Sequence, residues 1–245
     1  MISAVIFAGG VGKRMGSADI PKQFLEIEGK SIIIRTMEHF EKHAQVDKIV
    51  VACVEDWISE LEKQIKYYGL KKVEAIVLGG ESGFTSIHNG LVRVSEYSKG
   101  EDIVLICDGV RPVLTEMLIT NCISKAMRYE TAVPVTPSID SLLFSEDGNV
   151  CQKNYQRNSM YITQAPQGYT LKKILWAHKE AEKRGIVNPI SSCDLIIELG
   201  EPVHIYKGNR ENVKVTTPED LDTLRAHYYY QHYKLFAKEA LKYGL

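Results

Sequence analysis

The sequence predicts an α/β fold on a doubly wound, mostly parallel sheet, and two observations predict it. Short β-branched apolar runs recur at Ile2–Phe7, Lys48–Val54, Val73–Leu78, Ile103–Cys107 and Thr131–Val135, continuous rather than alternating, as in strands buried on both faces. Segments of helical spacing lie between them, and strands that alternate with helices favour parallel crossover units.

The first run, Ile2–Phe7, follows Met1 directly, with no basic n-region or small-residue cleavage site, so no secretory leader is expected. Glycines close it. Ile32, Ile33, Thr36, Met37 and Phe40 recur at three and four and predict a helix before the second strand; Trp57, Ile58, Leu61 and Ile65 predict another after it. From about Ser138 to Tyr161 the alternation stops. Ser141–Phe144 runs into the turn cluster Glu146-Asp147-Gly148-Asn149, which predicts a hairpin-like excursion from the sheet. Helical spacing returns over Leu171–Lys183, and a strand is expected at Val203–Tyr206. A last, long helix opens at Thr217-Pro218, with Thr as N-cap and Pro at the first helical position, and brings Tyr229, Tyr233, Phe236 and Leu241 close to one face. The expected architecture is thus Rossmann-like, one domain over 1–245 with a protruding β-hairpin arm and a long C-terminal helix.

Composition narrows the function. A chain of 245 residues, 44% hydrophobic and 25% charged, builds a sizeable core. Its net charge of -1 argues against nucleic acid as partner. No apolar run approaches transmembrane length. The five cysteines are widely spaced with no C-x-x-C pair, which argues against a disulfide framework or structural zinc and for buried, reduced thiols in a cytoplasmic protein. None of the seven histidines clusters, and all are expected to be structural or solvated.

The stretch "VIFAGGVGKRMGSADIPKQFLEI" is the most informative. Several backbone N–H groups in its glycine loop can point into one concavity, which binds phosphate. It fits neither common nucleotide loop. Gly10, Gly12 and Gly16 give G-x-G-x-x-x-G, not G-x-G-x-x-G, and Gly12-Lys13 is followed by Arg14 rather than Ser or Thr. A plain strand-to-helix turn with solvated charges is the alternative. Pro21 holds its predecessor extended, so Lys22 can be aimed back at the loop. Arg14 offers a planar fork and Lys22 a point charge, a pair suited to phosphoryl or nucleotidyl transfer.

At this point the chain resembles the small sugar- and polyol-phosphate cytidylyltransferases, of the 2-C-methyl-D-erythritol 4-phosphate and ribitol-5-phosphate types. "FAGGVGKRMG…PKQFLEIEGKSII" is similar to their opening signature, "GGESGFTSIHNGL" to their second nucleotide loop and "CDGVRP" to the loop after their fourth strand. "RNSMYITQAPQGY" and "NVKVTTPEDL" are similar to their Arg…PQ segment and C-terminal Lys motif. The five blocks stand in the family's order and cover most of the chain.

The resemblance implies a reaction in which an acceptor phosphate oxygen attacks the α-phosphorus of CTP, pyrophosphate leaves and a CDP-polyol forms. Arg14, Lys22 and Lys214 match the catalytic cations. Phe7, Ala8, Gly9, Gly10 and Gly12 match the backbone that cradles CTP. Gly80, Glu81 and Ser86 fall in the loop that reads the base. Asp108, Arg111, Arg157 and Lys214 match residues on the acceptor side. The triphosphate is expected to carry Mg²⁺, with Asp108 the carboxylate nearest the metal or the acceptor hydroxyls. In relatives the hairpin that bears Arg157 reaches the neighbouring subunit, which implies a homodimer with 138–161 as dimerisation arm. Plainer readings stand beside these: Asp108-Gly109 as a simple turn, Arg157 as a surface arginine, Ser86 as a helix cap, Lys214 on the polar face of an edge strand.

The chain departs from the family where relatives carry a loop arginine (here Gly83-Phe84), a His before the aspartate (Cys107), a Thr before Pro-Gln (Ala165) and a "TDDA"-like segment (Ser191–Asp194). These changes bear on the acceptor more than on the reaction. "AGG" in the first loop, five residues between Met15 and Pro21, "VRP" after the aspartate and Asp56-Trp57 resemble the ribitol type. D-ribitol 5-phosphate is therefore the expected acceptor, and 2-C-methyl-D-erythritol 4-phosphate the alternative. An inactive nucleotide-binding or scaffold relative is the reading from another class; the retained cations Arg14, Lys22 and Lys214 argue against it.

Overall fold

The computed structural model describes residues 1–9 and 20–242, with side chains up to residue 234. Gly10, Gly12 and Arg14 lie outside the described residues, as do the side chains of Phe236 and Leu241.

Strand β1 (Ile2–Ala8) is followed by a 3-10 turn (Lys22–Phe24), the short strands β2 (Glu26–Ile27) and β3 (Lys30–Ser31), and helix α1 (Ile32–Lys42). Then come β4 (Lys48–Cys53), α2 (Ile58–Tyr68), β5 (Val73–Leu78), α3 (Gly83–Ser95), β6 (Ile103–Asp108), α4 (Glu116–Tyr129) and β7 (Thr131–Pro137). The hairpin strands β8 (Leu143–Phe144) and β9 (Lys153–Asn154) precede β10 (Tyr161–Thr163) and β11 (Gln167–Thr170). The chain ends with α5 (Leu171–Arg184), α6 (Ser192–Glu198), β12 (Ile205–Lys207) and α7 (Pro218–Lys242).

The main sheet runs β10-β7-β11-β6-β1-β4-β5, with β12 beside β7. Strand β1 pairs in parallel with both β4 and β6, and β4 with β5. Side chains alternate across it, yet both faces are apolar. Ala4, Ile6, Ile49, Val51 and Leu105 join one core with residues of α1, α2 and α4. Val5, Val50, Val104 and Ile106 join a second core with residues of α3, α5 and α6. Helix cover on both faces is why these strands read as unbroken apolar runs.

From β1 the chain winds outward through β4 to β5, then returns to the other side of β1 as β6. That reversal leaves a crevice beyond the carboxyl ends of β1 and β6, where ligands of such sheets bind.

Three details differ from expectation. Strand β11 was not foreseen, and it lies antiparallel between β6 and β7, inside the sheet. The strand expected at Val203–Tyr206 is β12, Ile205–Lys207; His204 instead spends its N–H on the Thr131 hydroxyl. Cys151 is exposed, while the other four cysteines are buried. The excursion is a hairpin, as expected, with β8 antiparallel to β9. Asp147 ties its turn by accepting from the N–H groups of Asn149 (2.9 Å) and Val150 (3.0 Å). Thr217 does cap α7. Its hydroxyl accepts from Asp220 N, and Asp220 Oδ2 accepts from Thr217 N, a reciprocal capping box. Leu224 and Tyr228 seat the first turns of α7 on a small core with Val110 and Val215, whereas Tyr229 and Tyr233 are exposed.

Candidate active site

Two glycine loops meet at the end of β1. A Cβ on Gly79 would stand 2.9 Å from the Gly9 Cα, and one on Gly9 would stand 2.4 Å from Ser86 Oγ. Only glycine lets these backbones approach so closely. Ser86 is fully buried; its Oγ accepts from Gly80 N (3.0 Å) and donates to Ser82 O (2.8 Å). The N-cap of α3 is Ser82, whose Oγ accepts from Thr85 N, so Ser86 shapes the second loop rather than capping the helix. Glu81 is exposed beside it. Helix α3 thus starts at the loop, with its N-terminal N–H groups and the positive end of its dipole there.

Lys22 reaches this region through its neighbours. Pro21 is extended (φ -59°, ψ 138°) and leads into the Lys22–Phe24 turn. Gln23, 1% exposed, donates from Nε2 to Ala8 O at 2.7 Å. Phe24 packs against Trp57, its ring tilted by 31° and the centroids 4.5 Å apart. The turn that carries Lys22 is therefore bonded directly to the last residue of β1.

Across the crevice stands an ionic cluster. Asp108 ends β6 opposite Phe7 and is 7% exposed. Its Oδ2 accepts from Arg111 Nε (2.8 Å) and its Oδ1 from Lys214 Nζ (2.6 Å). Burial pushes the Asp108 carboxyl up, and the Arg111 and Lys214 charges outweigh burial, holding it below the ordinary carboxylate value. Arg111 also donates from Nη1 to Asn212 O at 3.0 Å. Lys214 is not on an edge strand. It lies in the connection between β12 and α7, anchored where Val215 N donates to Val110 O. One negative charge thus holds two positive ones, and the excess faces a cleft of about 330 Å³. Phe7, Phe84, Ile87 and Ile106 give the cleft an apolar wall. Asp108, Arg111, Lys214, Gln167 and Ser192 give it a polar one. Phe84 is backed by His178, stacked parallel at 4.4 Å. Neither ring nitrogen of His178 finds a partner among the described residues, and burial pushes its pKa down to about 3.

Phe7, Asp108, Arg111 and Lys214 therefore converge on one cleft, with Gly9, Gly80 and Ser86 in the adjoining loops. Arg157 does not join them; it sits on the exposed turn Arg157–Ser159 beyond the arm hairpin and lines no part of its own chain's cleft. Both oxygens of Asp108, the carboxylate expected beside Mg²⁺, are engaged by cations of the chain itself, Arg111 and Lys214. Among the described residues no group of three or more His, Cys, Asp or Glu converges. Sequence reasoning did not single out Gln167 or Asn188, Pro189 and Ile190, and it noted Phe84, Ser191 and Ser192 only as departures; the fold brings all of them to the cleft from separate elements.

Known proteins resemble this chain along most of its length. A family model described as 2-C-methyl-D-erythritol 4-phosphate cytidylyltransferase (IspD) matches residues 2–231. The ribitol-5-phosphate cytidylyltransferase of Vibrio parahaemolyticus is 37% identical over 223 residues, covering 91% of this chain and 94% of the relative. The 2-C-methyl-D-erythritol 4-phosphate cytidylyltransferase of Clostridium beijerinckii is 33% identical over 222 residues, covering 90% of this chain and 95% of that one. Among solved structures, a 4-diphosphocytidyl-2C-methyl-D-erythritol synthase from Anaerococcus prevotii superimposes with a TM-score of 0.79 at 23% identity. It covers 93% of this chain and 95% of its own, and speaks for the fold.

Proposed function

Since the chain belongs to the 2-C-methyl-D-erythritol 4-phosphate cytidylyltransferase (IspD) family and is a CTP-dependent nucleotidyltransferase, we propose that its acceptor is D-ribitol 5-phosphate. The acceptor rests on the ribitol-type relative at 37% identity against 33% for the methylerythritol type. The site rests on one observation above all: Asp108 holds Arg111 and Lys214 together across the crevice from the glycine loops.

In this reading the cytosine and ribose of CTP lie against the Gly9 and Gly79–Gly80 backbones. Ser86 keeps the second loop closed on the base. Lys214 and Arg111 receive the acceptor phosphate. One of its oxygens forms a bond to the α-phosphorus, the bond from that phosphorus to the bridging oxygen breaks, and pyrophosphate leaves with the electron pair. An ionised phosphate needs no general base, so the chain's work is positioning and charge neutralisation. Lys22, on its tethered turn, and Arg14 neutralise the charge that grows on the triphosphate. Mg²⁺ arrives with the triphosphate, and no residue here is given to it.

The chain in this proposal is one nucleotidyltransferase domain over 1–245, and 138–161 is its dimerisation arm. Exposed Leu143, Phe144, Tyr161 and Ile162 on and beside the arm support a homodimer, with Arg157 serving the neighbour's site. No described helix is long and apolar enough to cross a membrane; cytoplasm, where CTP is made, is the compartment proposed.

The test is pyrophosphate release from CTP and Mg²⁺ with each of two acceptors. Release with D-ribitol 5-phosphate alone is expected. Release with only 2-C-methyl-D-erythritol 4-phosphate would keep the transfer chemistry and overturn the acceptor. Silence with both while CTP binds would leave a nucleotide-binding protein without this activity.

A further inference from the structure

Gln164 directly follows β10, where the chain returns from the arm to the sheet, and is 7% exposed. Both ends of its side-chain amide are engaged. Nε2 donates to Asn209 O (2.8 Å) and Asn212 O (3.4 Å), and Oε1 accepts from Asn209 N (3.1 Å). Asn212, 2% exposed, answers from the opposite side; its Nδ2 donates to Ala165 O at 2.6 Å. Two side-chain amides thus staple residues 164–165 to the loop 209–212. The Asn212 carbonyl, held by Gln164, is the same oxygen that accepts from Arg111 Nη1. Two residues later comes Lys214. Gly208 makes room for the staple, since a Cβ there would stand 2.1 Å from Gln164 Oε1.

We propose that Gln164 and Asn212 are positioning residues for the acceptor: they fix the 209–214 backbone so that Lys214 and Arg111 meet on Asp108 before the acceptor phosphate arrives. The inference rests on Lys214 and Arg111 being the acceptor-phosphate cations. A lysine ordered only on binding would spend part of its interaction energy on losing rotamer freedom, and pre-ordering removes that cost. The staple also makes the strand that closes the arm part of the support for Lys214.

The experiment is calorimetric binding of D-ribitol 5-phosphate, and separately of CTP, to the intact chain. Gln164→Met removes all three side-chain hydrogen bonds of Gln164. Gly208→Ala removes no polar atom but displaces Oε1, and it serves if Gln164→Met fails to fold. Losing one or two net hydrogen bonds of support should weaken ribitol phosphate binding at least about fivefold. CTP affinity should stay within about twofold. In a Gln164→Ala background the Gly208→Ala change should add less than about twofold, because the atom it displaces is gone. Weakening below about fivefold in both single variants, or equal loss of CTP affinity, would overturn the proposal. If the unaltered chain binds ribitol phosphate but releases no pyrophosphate, the transfer reading falls while the variants still decide this one. No binding of ribitol phosphate at all would overturn both.

Discussion

Replacing Asp108 by Asn keeps the shape of the side chain and removes its charge. Arg111 and Lys214, now facing each other across a neutral amide, lose the group that reconciles them. Arg111, 8% exposed, has the Asn212 carbonyl as its other hydrogen-bond partner among the described residues, and that neutral group does not balance its charge. Breaking a buried ion pair costs about 3–5 kcal/mol. Lys214, whose side chain is 43% exposed, adds only the fraction of a kcal/mol typical of screened pairs. A loss near the low end, about 3 kcal/mol, is therefore expected at pH 7. For a chain of this size 1 kcal/mol moves the midpoint by about 2–4 °C, which gives a fall of about 6–12 °C. Thermal melts and urea denaturation of both forms measure it. The sign with pH follows from the depressed carboxyl of Asp108. Its stabilisation is fully present above the unfolded value of about 3.9 and is lost as pH falls through the lower folded value. The gap between native and Asn forms should stay constant from about pH 7 to 5 and narrow below about pH 4. A midpoint change under about 2 °C at pH 7 would refute the view that this carboxylate carries the cluster.

Lys22→Ala should lower turnover by about two to three orders of magnitude with CTP affinity largely kept; pyrophosphate release paired with calorimetry checks it, and undiminished turnover removes Lys22 from the reaction. His178→Phe should flatten the acid side of the stability profile. His178 has its pKa pushed down to about 3, so its contribution is present above the unfolded value of about 6.5 and lost as pH falls from there towards 3. Between pH 7 and 5 the native chain should lose about 2 kcal/mol more than the Phe form in urea titrations, and parallel profiles would contradict this. Ser86→Ala strips the Gly80 N–H of its buried acceptor at a cost of about 1–3 kcal/mol. CTP binding should weaken while ribitol phosphate binding holds, and equal loss of both would place Ser86 outside the nucleotide loop.

The parallel strands were legible because burial on both faces writes an unbroken apolar run into each of them. Strand β11 was not, although it lies at the middle of the sheet. Pro166 precedes it and Gly168 interrupts it, both of which argue against a strand, and its place is set by β6 and β7 rather than by its own pattern. The second loop was legible in kind but not in detail, because Ser82 and Ser86 are both acceptable caps and only the fold decides between them. Asp108, Arg111 and Lys214 were each singled out, yet the ionic cluster they form was not foreseen. Lys214 reaches it from the far end of the chain, through a loop whose anchors, Gln164 and Asn212, resemble any exposed polar residues in sequence. Arg157 marks the opposite limit, a residue named by resemblance whose own cleft does not include it.

The cysteines offer something practical. Burial pushes Cys53 and Cys122 up to about 12 and raises Cys107 and Cys193 as well, so none presents a thiolate to a reagent near neutral pH. Cys151 alone is exposed, just past the arm's turn. A thiol-directed spin label or fluorophore would therefore mark the arm without any engineered change. Two labelled copies would turn the expected arm exchange into a ruler, read as a label-to-label distance that exists only when the arms are paired.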